Sequence, residues 1–136
     1  MQTDQYVQCV NQELERLLVF ETVFKEYFHT CRNIEKGNCY ASESFERLHL
    51  YLSKNILRYN RFVDQCAKVP APQGYEEFNR RLIEGLKGIR NGVLMALMAI
   101  EPDRLDASLF NAGVNTQQQA RDAIDAAFSH IQVAAS

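Results

Sequence analysis

Two Glu-x-x-His tetrads, Glu26-Tyr27-Phe28-His29 and Glu46-Arg47-Leu48-His49, hold the residues of this chain best spaced to do chemistry. Residues three apart on a helix project from one face, so each tetrad could offer a carboxylate and an imidazole to one metal ion. Two such helices, joined by an inward Glu from each of two others, can hold a pair of ions inside a bundle. The further acids at hand are Glu77, Glu84 and Glu101, with only Asp122 and Asp125 near the C-terminus. Helical geometry opposes an internal site: Glu26 and His29 fall roughly 130° to 170° from the centre of their helix's apolar stripe at 100° per residue, which turns them to water. His49 sits at the edge of its own stripe and Glu46 further out. A metal-dependent bundle enzyme using Glu26, His29, Glu46 and His49 is thus the alternative reading, and no cofactor is expected.

The four cysteines, Cys9, Cys31, Cys39 and Cys66, have neither C-x-x-C nor zinc-ligand spacing. They are expected as reduced thiols, with Cys39 in a turn and open to reagents. No Ser-His-Asp, Cys-His or paired-carboxylate arrangement stands out. Glu21 falls at an inward position between Leu17 and Phe24, where a carboxylate needs hydrogen-bond partners. The register of the first hairpin supplies Asn55 and Tyr59, so the expectation is either a buried Glu21, Asn55 and Tyr59 network or a Glu21 left at the margin of the wide stripe with access to water.

Charge is unevenly spread. Residues 1 to 46 carry 4 basic and 8 acidic side chains, residues 47 to 91 carry 9 and 4, and residues 92 to 136 carry 2 and 5. A basic middle between acidic ends suits helices that complement one another along their flanks. An anion or nucleic-acid site on Arg80, Arg81 and Arg90 is the second alternative. The net charge of −2, the absence of aromatic interleaving and the lack of a glycine-rich phosphate loop all disfavour it.

Positioning these residues requires helices. From Asp4 to about Lys36, Val7, Val10, Leu14, Leu17, Phe24, Phe28 and Cys31 recur every three or four positions, until Lys36-Gly37-Asn38 offers a left-handed close. A second helix starts at Ser42 or Ser44 as cap and stops before Pro70 and Pro72, with Phe45, Leu48, Leu52, Ile56, Tyr59, Val63 and Cys66 inward. The third spans about Gly74 to Ile100. A short helix from Asp103 to Phe110 is expected before Asn111-Ala112-Gly113, and a last helix from about Thr116 to Ala134. Folding the first hairpin about Asn38 pairs Val10 with Cys66, Leu17 with Tyr59, Phe24 with Leu52 and Phe28 with Leu48.

Two further patterns concern contact rather than catalysis. Gly85, Gly88, Gly92 and Ala96 form a stripe of small residues on the third helix; interior glycines cost roughly 1 kcal/mol each against Ala, so close packing against another helix of the chain should offset them. Leu50 and Leu57 lie opposite the core stripe of the second helix, seven residues apart, with Lys54 and Arg61 beside them. An apolar centre in a polar rim marks them as a partner interface, unless the extra short helix covers them.

Hydrophobic residues at 46% and charged residues at 24% suit a globular chain of 136 residues with one core. The expectation is therefore an all-α single domain over residues 1–136: an antiparallel up-down-up-down four-helix bundle with a short extra helix before the last long one. No stretch reaches the roughly 20 apolar residues of a membrane span, and no secretory signal opens the chain, so a cytoplasmic protein without membrane insertion is expected. The functional expectation is a non-enzymatic protein-protein interaction module (adaptor, chaperone, antitoxin or immunity-type binder) that binds a protein partner through a helix face and forms a homodimer.

Overall fold

The computed structural model describes residues 1–37 and 44–135, with the backbone alone over 132–135. The expectations for Asn38, Cys39 and Ser42 lie outside the described residues. Among the described residues four helices follow in order: α1 (Thr3–Glu35), α2 (Phe45–Ala67), α3 (Glu76–Ala99) and α4 (Ala107–Ala135). Among the described residues there is no strand, only one isolated bridge between Ile100 and Leu105.

Local chemistry accounts for most boundaries. Gly37 takes φ 77°, the left-handed geometry that lets the chain leave α1. Ser44 caps α2, its hydroxyl accepting from Arg47 N at 3.2 Å. Pro70 and Pro72 separate α2 from α3, and Tyr75 N donates to Pro72 O at 3.0 Å in the connecting turn. Asp106 opens α4, its carboxylate accepting from Leu109 N at 3.1 Å while its carbonyl takes Phe110 N at 2.9 Å.

The short separate helix is not formed. Residues 101–106 make a tight return in which Glu101 N donates to Arg104 O and Asp106 N to Ala99 O, both at 2.9 Å. Residues 107–110 are instead the first turn of α4, which runs unbroken through Asn111-Ala112-Gly113. The physical reason lies at Gly113, whose use is close approach rather than termination. A Cβ there would lie 2.6 Å from both Ala96 N and Gly92 O on α3.

That approach continues along the two helices. A Cβ on Gly92 would lie 2.6 Å from Gly113 O and closer still to Gln117 N; one on Gly88 would strike Ala120, and one on Gly85 would strike Ile124. As α3 is read forward its partners on α4 descend, so the two run antiparallel with their backbones almost touching. The hydrogens that replace the missing methyls on Gly92 and Gly113 point at each other's carbonyl oxygen, a weak attraction of roughly 0.5–1 kcal/mol each.

The α1 and α2 pair is wider, filled by rings instead of glycines. Phe20 and Phe24 pack on Tyr59 with centroids 5.3 and 5.6 Å away, and Phe20 on Phe62 at 5.3 Å. Arg16 Nη1 donates to Gln65 Oε1 at 3.1 Å, and Asn55 Nδ2 donates to the Tyr27 hydroxyl at 3.0 Å. These partners also descend, but in a register offset from the expected one: Tyr59 packs on Phe20 and Phe24, and Asn55 stands opposite Tyr27. The helices end at Glu35 and resume at Phe45, so the centre of the connection falls beyond Asn38. Tyr59 then ties this pair to α3 by donating to Leu86 O at 2.7 Å. Side chains of all four helices share the core, among them Tyr6, Phe24, Tyr59, Leu86, Phe110 and Ile124.

Gly92→Ala and Gly113→Ala are each expected to lower the unfolding free energy by about 1–3 kcal/mol, because overpacking against backbone outweighs the roughly 1 kcal/mol gain in helix propensity. Urea denaturation followed by circular dichroism measures it. Lys87→Ala, on the exposed side of the same helix, should change stability by under about 0.5 kcal/mol.

Candidate interaction surface

The stripe that roots α2 in the core fixes what its other side shows. With Leu48, Leu52, Ile56, Tyr59, Val63 and Cys66 buried, helical periodicity turns Glu46, Leu50, Lys54, Leu57 and Arg61 outward. Leu50 is 51% exposed and Leu57 59%. No described segment covers them, since the extra helix that could have done so is the start of α4. Beside them stands Tyr51, also exposed, between two cations. Arg47 Nη2 donates to its hydroxyl at 3.4 Å, and Lys54 Nζ lies 5.9 Å from its ring centroid. The Arg47 hydrogen bond and charge hold the Tyr51 hydroxyl below its ordinary pKa.

Among the described residues neither Glu46 nor Arg61 has an ion-pair partner within the chain. Two of the basic residues of α3, Arg80 and Arg81, differ. Arg80 pairs with Glu77 and with Glu84 at 2.7 Å, and Arg81 with Glu77 at 3.2 Å. These contacts hold the Glu77 carboxyl down at about 2 and offset much of the charge that an anion would meet there.

The four residues of the metal alternative do not converge. Glu26 and His29 are exposed on α1, along a shallow cleft with Lys25 and Thr30, and Glu46 and His49 are exposed on α2. Among the described residues no three His, Cys, Asp or Glu side chains form a group that could hold a metal ion.

Glu21, Asn55 and Tyr59 each find a different partner. Tyr59 bonds Leu86 O, Asn55 bonds Tyr27 and Tyr51 O, and Glu21 turns to α4, where Arg121 Nε lies 3.1 Å from its carboxylate. Arg121 Nη1 also meets Asp125 at 2.9 Å. Both Glu21 and Arg121 side chains are 20% exposed. Burial raises the Glu21 pKa, the Arg121 charge opposes that rise, and Asp125 adds to it. The sequence hides this pair because the expected hairpin register sets Asn55 opposite Glu21, and no periodicity says which α4 residue meets α1.

Cys9, Cys31 and Cys66 are free thiols. Burial, with Glu35 nearby, pushes the Cys31 thiol up to about 12. Burial also lifts Cys66 to about 12, with help from the Glu13 carboxylate to which it hydrogen-bonds. A feature missed in the sequence is an apolar groove where α1 begins, lined by Tyr6, Val7, Val10, Phe78, Phe128 and Ile131. Val7 and Val10 read as ordinary core positions, yet Val7 is exposed.

No family model matches the chain, and no match is found among curated proteins or solved structures.

Because the Glu21 pKa is raised, the folded state binds more protons than the unfolded chain between the ordinary carboxylate value and the elevated one. Stability therefore falls as pH rises through that window. Glu21→Gln is expected to flatten this part of the profile, measured by urea unfolding from about pH 4 to 7. An unchanged slope would assign the proton to Glu13, whose pKa is also raised by burial.

Proposed function

We propose that this chain is a non-enzymatic protein-binding module of the adaptor, chaperone, antitoxin or immunity-protein kind, which recognises a protein partner through the outward face of α2. The observation that carries this reading is the pair of exposed leucines, Leu50 and Leu57, on one line of one helix between side chains of both signs. Scattered single leucines are ordinary on a surface. Two aligned over two turns, beside an exposed Tyr51 clasped by Arg47 and Lys54, form a small apolar centre with a polar rim, as partner sites do.

The remainder of the chain serves that face as a rigid mount. The descending contacts of α1 with α2 and of α3 with α4 support an up-down-up-down arrangement as part of this reading. Among the described residues no helix is long and apolar enough to cross a membrane, and a cytoplasmic site of action belongs to the proposal.

A photoreactive residue at position 57 is expected to give a defined covalent adduct in native extract, while the same residue at position 122 on α4 gives none. The paired change Leu50→Glu/Leu57→Glu should abolish adduct formation from a probe at position 54 with an unaltered circular dichroism spectrum. Equal labelling from positions 57 and 122 would reject the face.

A further inference from the structure

Along the exposed line of α2, Glu46, Leu50, Leu57 and Arg61 stand four, seven and four positions apart. The spacing reads the same in both directions, while the charges at its ends are opposite. A helix marked this way matches itself when reversed. We propose that the occupant of this face is a second copy of the chain, with α2 packed antiparallel on α2 of the partner about a two-fold axis between residues 53 and 54. This rests on the reading of the α2 face as a partner site and adds the identity and register of the partner.

In an isologous contact, residue i of one chain meets residue j of the other and the reverse contact is made as well. About the proposed axis, Leu50 of each chain meets Leu57 of the other, giving four leucines at the centre. Glu46 of each meets Arg61 of the other, one ion pair closing each end. Within its own chain, neither Glu46 nor Arg61 has an ion-pair partner among the described residues, so both are available. A parallel arrangement would set Glu46 on Glu46 and Arg61 on Arg61; the charges select the antiparallel one.

One contact opposes association. The two Lys54 side chains come close at the axis, where like charges repel. Each is drawn along its own helix towards Tyr51, with Nζ 5.9 Å from that ring, which keeps the ammonium groups off the leucine centre. Lys54 therefore limits the affinity rather than preventing the contact, and its removal should tighten the pair.

Sedimentation velocity over a concentration series tests the register. The wild-type chain should sediment at twice the chain mass. Glu46→Arg or Arg61→Glu alone replaces two attractive contacts by two repulsive ones and should weaken the dimer about tenfold or more. The double variant restores both pairs in swapped order and should return to the wild-type affinity, while Lys54→Leu should exceed it. All five substituted positions are exposed, and circular dichroism verifies that each variant folds. Failure of the double variant to restore association would overturn the register, because a different partner with fixed charges cannot be rescued by exchanging these two. A monomeric wild type would overturn self-pairing even if the position 57 probe still captured another protein, in which case the reading of the face survives. A dimer indifferent to Leu50→Glu/Leu57→Glu would overturn self-pairing through this face.

Discussion

The contact between α3 and α4 is made by main chain on main chain, and the other helices are arranged around it. Gly85, Gly88, Gly92 and Gly113 remove the side chains that would hold these helices at the usual 8–10 Å between axes. Small residues inside a helix sacrifice propensity, and the compensation here is the dispersion and weak Cα–H···O attraction of two surfaces with no gap between them. Such a fit leaves little latitude. Sliding α4 along α3 would carry the Gln117 and Gly113 backbone away from Gly92 and bring α4 side chains against it.

Around that contact the chain uses large side chains where it used none before. Phe20, Phe24, Tyr59 and Phe62 fill the space between α1 and α2, with mostly edge-on or tilted rings that suit aromatic quadrupoles. Tyr59 belongs to both halves, its ring among the phenylalanines and its hydroxyl on Leu86 O. Burial raises the pKa of that hydroxyl, which keeps it a neutral donor. The seam of α1 with α4 relies on fewer contacts, chiefly Phe28 against Phe110 and the Glu21 to Arg121 ion pair. An ion pair with limited access to water contributes modestly when its desolvation is counted.

How much of this could be read from the residues depends on how local each cause is. The four long helices follow from apolar spacing, and their ends near Gly37, Ser44 and Pro70 follow from turn and cap chemistry, all within a few positions of one another. Gly113 defeated local reading because a glycine that ends a helix and one that lets another backbone approach look alike in one dimension; only Gly92 and Ala96 on α3 distinguish them. The α1 and α2 register was displaced by the unknown length of the connection, which moved Asn55 from Glu21 to Tyr27. The partner of Glu21 was set by tertiary contact alone. The outward line of α2 was legible because it depends only on the periodicity that defines the inward one.

The two interior thiols carry a consequence for the chemistry this protein undergoes in air. Both thiols are buried, and that burial raises their pKa, which keeps them protonated at neutral pH. Peroxides and electrophiles attack the anion, so Cys31 and Cys66 are protected from oxidation as long as the bundle stays shut. Their modification over time would then record how often the helices part, making the cysteines a built-in clock for opening.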